Sequence, residues 1–189
     1  MTPAPELLLT PPPGFVSLPL HDPDTQTGLP RYVTWFAQSL PEENIRHYGR
    51  FAVEADAVAD PVLADLAAAV VPLDGDDSVA RLRQRYRARH PHADVRVIRL
   101  ATGPAIVAVT AGEYRLPPDL AGHGLDGVLP RITAEFQIPA PDGAHLALMT
   151  VSTANEAGCQ AVLTAAMRVA NSIRVTRPQS DLHLANPSA

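Results

Sequence analysis

The chain of 189 residues contains no lysine, so all 15 of its basic side chains are arginine. It has a single cysteine, Cys159, which excludes an internal disulfide and fits a reducing compartment such as the cytoplasm. No stretch approaches the roughly 20 apolar residues of a membrane-spanning helix, so we expect no membrane association. Residues 1–13 have neither a positive n-region nor a long apolar core, and we therefore expect no signal peptide and a cytoplasmic protein.

Several short motifs that mark catalysis or phosphate binding are also absent. The sequence contains no G-x-S-x-G nucleophile elbow, no phosphate-binding G-x-x-x-x-G-K and no H-E-x-x-H pair. The net charge of −5 argues against a dedicated nucleic-acid-binding protein. We therefore expect no catalytic residues and no cofactor, and a protein without catalysis is favoured over an enzyme.

The clearest structural pattern lies in the last third of the chain. In residues 131–138 apolar and polar side chains alternate, as in a half-buried antiparallel strand. The Ala-Pro-Asp-Gly sequence at 140–143 predicts a type I turn, with Gly143 in the left-handed conformation. Residues 145–152 are apolar on both faces, which predicts a second strand in the interior of the sheet.

An amphipathic helix is predicted after these strands. Thr153 and Glu156 have the spacing of a capping box, so we expect the helix to begin there. Gln160, Thr164 and Arg168 lie on its polar face. The apolar stripe consists of Cys159, Val162, Leu163, Ala166, Met167, Val169, Ala170 and Ile173.

The rest of the chain predicts further strands and helices. Residues 60–73 allow a helix or a strand, and the ending Val-Val-Pro-Leu favours a strand over at least 67–73. A capping-box spacing from Ser39 to Glu42 predicts a helix through about residue 58. The other predicted elements are an edge strand at 15–20, a short apolar helix at 32–40, a helix at 79–90, strands at 95–100 and 105–110, and a long loop at 112–130. The buried side of the helix at 79–90 is predicted to consist of Val79, Leu82 and Tyr86.

Together these elements predict an α+β fold, because an apolar helix stripe must cover an apolar sheet face. We expect a twisted antiparallel sheet of five to seven strands with helices packed against it, ending in a β-hairpin and an amphipathic helix. A single domain is predicted over residues 15–175. Residues 1–14 are expected to form a flexible Pro-rich lead-in, and residues 176–189 a flexible tail.

A run of arginines is the strongest functional signal in the chain. On a helix, Arg81, Arg85 and Arg89 share one face, and Arg83 and Arg87 share another. Because the planar guanidinium matches carboxylate and phosphate groups, all five are candidate residues for binding an anionic partner such as an acidic peptide. The alternative is a solvated helix face in a protein that uses arginine in place of lysine.

Other candidate sites are weaker. His90 and His92 could place two imidazoles on one side of a strand for zinc, but the sequence offers no third ligand, and no metal site is expected. The acidic cluster at 74–77 lacks the glycine and glutamate of a calcium loop, so helix capping is preferred. Cys159 could be activated near a helix N-terminus, but its place on the apolar stripe favours a buried structural thiol.

The order of elements resembles the Mog1/PsbP-like fold. The resemblance is carried by Leu148-Met149-Thr150-Val151-Ser152-Thr153, followed by a helix that closes on Ala170-Asn171-Ser172-Ile173-Arg174. It covers residues 130–175, and the rest of the chain only by element order. The Pro-Gly-Phe at 13–15 and the lysine-free composition are similar to those of small actinobacterial α+β proteins. The resemblance implies a non-catalytic role, as in assembly factors, lipoprotein binding modules and secretion chaperones, and it carries over no catalytic residues.

These features favour a non-catalytic protein-binding adaptor or chaperone-like module, linked to secretion or assembly. It would bind a protein partner through the exposed sheet face, or an acidic protein partner through the Arg81–Arg89 surface. Nucleic acid is a weaker alternative, and no oligomeric state is predicted. The competing hypothesis is a small-molecule-binding protein or enzyme. Its pocket would lie between the sheet and a helix bearing Trp35 and Tyr48, or under the 112–130 loop acting as a lid.

Overall fold

The fold is described from a computed structural model. β-branched, aromatic and small apolar residues form most of its strands and helices. The structure describes residues 5–18, 44–73, 78–115 and 128–176. The elements within these ranges are β1 (Glu6–Leu8), β2 (Val16–Ser17), β3 (Ile45–Val53), β4 (Val62–Pro72), α1 (Val79–Arg89), β5 (Asp94–Leu100), β6 (Gly103–Arg115), β7 (Val128–Pro139), β8 (His145–Thr153), α2 (Cys159–Ser172) and β9 (Arg174–Thr176).

Seven of these strands form one twisted, open antiparallel sheet, which confirms the predicted α+β fold class. The strand order is β2-β3-β4-β8-β7-β6-β5. Two meanders, β2–β4 and β5–β8, are therefore joined side by side through the pairing of β4 with β8, and α1 lies in the connection between them. The two short strands β1 and β9 pair separately, and Leu7 of β1 is buried in the main core.

The main core lies on one face of the sheet, under α2. β4 contributes alternate residues such as Leu66 and Ala68, and β7 and β8 contribute Phe136 and Met149. This alternation is the period of two that a strand imposes on its side chains. The face of α2 that packs on them is formed by Val162, Ala166, Val169, Ala170 and Ile173. The predicted stripe is confirmed at these residues, whereas Met167 is 36% exposed and Cys159 is only half-buried.

The opposite face of the sheet is divided between apolar and polar side chains. Leu82 and Tyr86 of α1 pack there on Val95, Ile106 and Leu146. A smaller apolar cluster holds Ile45, Tyr48, Ala67 and Ala69. Because α1 contacts Val95 and Ile106, it covers the β5–β6 side of this face. Between the two apolar clusters the face carries polar residues.

The predicted helix through residue 58 is wrong, because Ile45–Val53 is strand β3. The register of β3 against β4 shifts between Ile45 and His47, where a β-bulge inserts one extra residue. Ile45 and Tyr48 consequently reach the same face of the sheet although they are three residues apart. The bulge thus produces in a strand the spacing that indicates a helix in the sequence. The short helix predicted at 32–40 and the capping residues Ser39 and Glu42 lie outside the described residues.

The strand preferred for residues 67–73 is confirmed and is longer than expected, since β4 begins at Val62. The interior position of β8 and the turn at 140–143 are also confirmed: Gly143 has φ +67° and its N–H donates to Ala140 O at 3.0 Å. The predicted 112–130 loop is too long, because β6 continues to Arg115 and β7 begins at Val128.

The capping box predicted for α2 is wrong. The Thr153 hydroxyl donates instead to Leu63 O at 2.8 Å, and the Asn155 side chain accepts from the Gly158 N–H at 2.8 Å. The helix begins only after Gly158, with no capping side chain. Gly158 is packed so closely on Val62 that an added Cβ would collide with that side chain. Close packing on β4 therefore restricts the position just before α2 to glycine. None of the helices in the described ranges combines the length and apolar character needed to cross a bilayer.

Substitution of Gly49 should test the close packing at the β2 edge of the sheet. A Cβ added at Gly49 would collide with Val16 O and with the Phe15 ring, so β2 would have to move away from β3. We expect Gly49→Ala to lower the free energy of unfolding by about 1–3 kcal/mol, the usual cost of overpacking. Urea denaturation measures this difference. The control is Gly112→Ala in β6, where a Cβ meets open space; equal losses in the two variants would contradict the packing argument.

Candidate functional site

The helix that carries the arginine run is anchored by few residues. Ser78 caps its N-terminus, with its hydroxyl accepting from Arg81 N–H at 3.3 Å. Leu82 and Tyr86 are its buried residues, one turn apart on the side that faces the sheet. The helix ends where the His90 N–H donates to Tyr86 O. This confirms the predicted helix and its buried side, and it leaves the arginines on the two flanks.

The two flanks of α1 have different surroundings. Arg81, Arg85 and Arg89 are exposed on one flank. On the other flank Arg87 is exposed and donates from Nη2 to Val95 O at 3.2 Å, while Arg83 is half-buried. Since Val95 belongs to β5, the Arg83–Arg87 flank faces the edge of the sheet.

Strand β5 carries two further arginines. By strand alternation Arg99 lies on the same face as Val95, which packs under α1, and Arg96 lies on the opposite face. Arg96 is paired with Asp94 at 2.6 Å, and both side chains are largely exposed. The Arg96 guanidinium, as a hydrogen-bond donor and as a charge, holds the pKa of Asp94 below its usual range. Arg99 is exposed, and Val97 between them is 50% exposed. We refer to these seven arginines as the arginine surface: Arg81, Arg83, Arg85, Arg87, Arg89, Arg96 and Arg99.

A second polar arrangement lies on the same face of the sheet, toward β3. Asp65 of β4 is 8% exposed, and its carboxylate accepts from Arg50 Nε at 2.8 Å. In the strand register Arg50 is opposite Asp65, Asp65 is opposite Ser152 and Ser152 is opposite Thr133. These four residues form a row of polar side chains across β3, β4, β8 and β7, which we call the polar row.

Two buried hydroxyls adjoin the polar row. In the next row of the register Tyr48 and Thr150 lie on either side of Ala67. They are 4% and 6% exposed, and neither hydroxyl has a hydrogen-bond partner among the residues of the structure. Burial, and then the negative charge of Asp65, raise the pKa of Tyr48 to about 12, so its phenol is a neutral donor at physiological pH. Buried hydroxyls normally find partners, so this pair is a candidate site for a polar ligand.

A hydrogen-bonded network connects α1 to the same face. The Tyr86 hydroxyl donates to Glu135 Oε2 at 3.2 Å, and Gln137 Nε2 donates to Glu135 Oε1 at 3.0 Å. Burial raises the pKa of Tyr86, and the Glu135 charge and hydrogen bond raise it further. Tyr86 therefore holds α1 on the sheet both by packing and by a charge-assisted hydrogen bond.

The weaker candidates are the two histidines, Cys159 and the acidic cluster at 74–77. The His90 ring lies against the Tyr86 ring with centroids 4.6 Å apart, and His92 is exposed. Within the described ranges no three His, Cys, Asp or Glu side chains come together as a metal site. Cys159 is the first residue of α2 and is half-buried, so the expectation of a buried thiol is wrong. The acidic cluster 74–77 lies outside the described residues.

A dinucleotide-type spacing, G-x-G-x-x-G, occurs at residues 122–127. These residues lie outside the described ranges, between β6 and β7. The dinucleotide-binding fingerprint connects a strand to the crossover helix of a parallel βαβ unit. Since β6 and β7 are antiparallel neighbours, the spacing does not indicate a dinucleotide site here.

Sequence reasoning found the arginine run and the strand at 95–100, but it missed the polar row and the position of that strand at the sheet edge. Asp65 could have been noticed, because it is the one charged residue in the apolar run of β4. Its partners Arg50 and Ser152 come from distant parts of the chain, and only the sheet register brings them together. Comparison of the chain with protein-family models and with curated proteins finds no match to either.

The raised pKa of Tyr48 predicts a loss of stability at alkaline pH. An unfolded tyrosine titrates near pH 10, so the stabilisation from the neutral Tyr48 phenol is complete below that pH and is lost as pH rises through about 12. Because the chain has no lysine, its four tyrosines dominate titration in this interval. We expect Tyr48→Phe to reduce the slope of unfolding free energy against pH, by up to about 1.4 kcal/mol per pH unit.

The measurement is urea denaturation at several pH values between neutrality and pH 11. Tyr86→Phe should reduce the slope in the same direction, because the pKa of Tyr86 is also raised. A Tyr48→Phe protein with the slope of the unmodified protein would show that Tyr48 is not held neutral by its surroundings.

Proposed function

We propose that the protein is a non-catalytic binding module that recognises an acidic protein partner through the arginine surface. The observation that carries the proposal is the placement of α1. Its attachment to the sheet uses Leu82 and Tyr86, and the arginines therefore lie outside the apolar contact that holds the helix. Their charges are concentrated on one helix and its neighbouring strand in a chain whose net charge is −5.

The chemistry of arginine supports binding rather than catalysis. A guanidinium stays protonated at any physiological pH, so it does not act as a general acid or base, but it donates two parallel hydrogen bonds to a carboxylate. A cluster of one sign also accelerates association with an oppositely charged partner and disfavours partners of like charge. An acidic protein segment satisfies both requirements.

The test is charge reversal on each flank. We expect Arg85→Glu/Arg89→Glu and Arg87→Glu/Arg99→Glu each to weaken binding of a fluorescent Glu/Asp-rich peptide by about tenfold or more, measured by anisotropy at low salt. The control is Arg46→Glu/Arg168→Glu, which changes the net charge equally at exposed positions on β3 and α2. The control should bind nearly as tightly as the unmodified protein.

Equal loss in all three double variants would contradict the proposal, because the peptide would then respond only to net charge. Preference for a single-stranded oligonucleotide over the peptide, with a steeper salt dependence, would favour nucleic-acid binding instead. Circular dichroism of each variant should show that the fold is retained.

A second candidate function is the binding of a small polar molecule beside the polar row. It is favoured by the unpartnered Tyr48 and Thr150 hydroxyls, which are buried on either side of the small Ala67 side chain. The Arg50–Asp65 pair is close to neutral as a unit, so a neutral hydroxylated ligand fits this site better than an ion. The pocket would lie on a sheet face, not between a sheet and a helix bearing Tyr48, since Tyr48 is on β3.

Removal of one hydroxyl distinguishes a ligand site from an unsatisfied one. If a ligand hydrogen-bonds to Thr150, we expect Thr150→Val to destabilise protein purified from its native host and to remove a bound mass seen by native mass spectrometry. If nothing binds, Thr150→Val should stabilise the fold by about 1 kcal/mol, because an unsatisfied buried hydroxyl is lost. Thr10→Val makes the same change of side chain at an exposed position after β1 and is the control.

A further inference from the structure

Strand β5 is the last strand of the seven-stranded sheet on its side. In an antiparallel pair, successive residues alternate between those that hydrogen-bond to the neighbouring strand and those whose N–H and C=O point away from it. The β5–β6 hairpin has a two-residue loop, and the flanking pair is Leu100 and Gly103. The residues that close such a loop are hydrogen-bonded to each other, so Leu100, Ile98 and Arg96 face β6. The backbone groups of Val95, Val97 and Arg99 then point outward.

An independent contact agrees with this assignment. Arg87 Nη2 donates to Val95 O at 3.2 Å, so the Val95 carbonyl is on the outer side of β5. The next two residues on the same side are Val97 and Arg99. No described hydrogen bond joins a side chain to their backbone N–H or C=O groups. Among the described residues their two N–H and two C=O groups therefore form a short free edge, and the 50% exposed Val97 side chain lies at its centre.

Arginines surround this free edge. Arg87 contacts β5 at Val95, and Arg83 lies one turn earlier on the same flank of α1. Because α1 returns directly into β5, helix and strand run in opposite directions, which places Arg83 toward Val97. The Nε of Arg83 is buried and has no hydrogen-bond partner in the structure. Arg96 and Arg99 add charge on the strand itself.

We propose that an extended acidic segment of a partner protein adds to β5 as an eighth strand. Main-chain hydrogen bonds to Val97 and Arg99 would fix its direction and register, and its carboxylates would pair with Arg83, Arg87 and Arg99. Strand addition of this kind derives affinity from the backbone and specificity from side chains. The proposal rests on the function proposed above and specifies how the arginine surface holds its partner.

The charge pattern favours an acidic segment over a second copy of this chain. Two β5 strands paired antiparallel about Val97 would place both α1 helices on the same side of the joined sheet. The Arg83–Arg87 flanks of the two copies would then face each other across the seam, and like charges at such a contact disfavour it. Charged edge residues commonly protect a strand from unwanted pairing, and here they would reject partners that are not acidic.

The test removes a single outward N–H. Proline is tolerated on an edge strand where its missing N–H faces away from the sheet, so Val97→Pro should retain the fold and every arginine. We expect Val97→Pro to weaken binding of a ten-residue peptide of alternating Glu and Val by about tenfold. Val97→Thr keeps the N–H and a β-branched side chain, and it should bind as the unmodified protein does.

A second measurement does not depend on the stability of a variant. A peptide N-methylated at alternate residues, on the edge that would face β5, should bind the unmodified protein about tenfold more weakly than the parent peptide. The parent peptide should also slow hydrogen exchange at the amides of Val97 and Arg99.

The outcomes separate this proposal from the function on which it rests. If Arg87→Glu/Arg99→Glu weakens binding but Val97→Pro and N-methylation do not, the arginine surface binds acidic partners without strand addition, and the eighth strand is refuted. If no charge reversal has an effect, the proposed function itself fails. If the unmodified protein alone forms a dimer that Val97→Pro abolishes, the occupant of the edge is a second copy and the proposal is overturned.

Discussion

The pairing of β4 with β8 is the constraint on which the rest of the structure depends. It runs through eight residue pairs, from Asp65 opposite Ser152 to Pro72 opposite His145, and it joins two meanders that are otherwise separate in the sheet. Side chains alternate between faces along a strand, so this one register determines what both faces contain. A slip of one residue would turn the Asp65 carboxylate toward α2 and the main core, where burial of a charge away from its partner is costly. The Arg50–Asp65 contact therefore opposes the wrong register.

The small residues of β4 follow from the same constraint. Ala64 and Ala68 face the core under α2, and Ala67 and Ala69 face the opposite side. Val62, at the start of β4, lies so close to the backbone before α2 that only glycine fits at position 158. On the opposite face the short side chain of Ala67 cannot bond to the Tyr48 and Thr150 hydroxyls on either side of it, and they have no hydrogen-bond partner among the described residues. The small side chains of β4 thus belong to a tight core on one face, and on the other face they lie beside buried hydroxyls that lack hydrogen bonds.

Much of the fold could be predicted from the sequence, because its clearest segments are governed by local rules. The β7–β8 hairpin follows from alternation and from the Pro141–Gly143 turn, and α1 follows from the spacing of Leu82 and Tyr86. The errors occurred where a non-local contact overrides a local pattern. The bulge in β3 gives Ile45 and Tyr48 a helical spacing, and the hydroxyl of Thr153 in the apparent capping box donates to Leu63 O of β4 instead of capping α2. The arginines could be assigned to two flanks from their numbers alone. The position of the Arg83–Arg87 flank at a sheet edge depends on the strand order. No local sequence pattern specifies the strand order.

The contact between Arg87 and Val95 links the arginine surface to the state of the sheet edge. In the structure the Arg87 guanidinium donates a hydrogen bond to the Val95 carbonyl. Without this bond, the carbonyl could accept a hydrogen bond from another strand. A carboxylate is a stronger acceptor for guanidinium than a neutral carbonyl, because a hydrogen bond between charged groups is roughly twice as strong. An acidic segment that attracts Arg87 would therefore release the Val95 carbonyl to its own backbone, and the free edge would extend from two residues to three. A neutral segment offers no such exchange, so Arg87 would continue to cover the edge. In the proposed complex Arg87 would thus protect the strand from neutral segments and favour an acidic one.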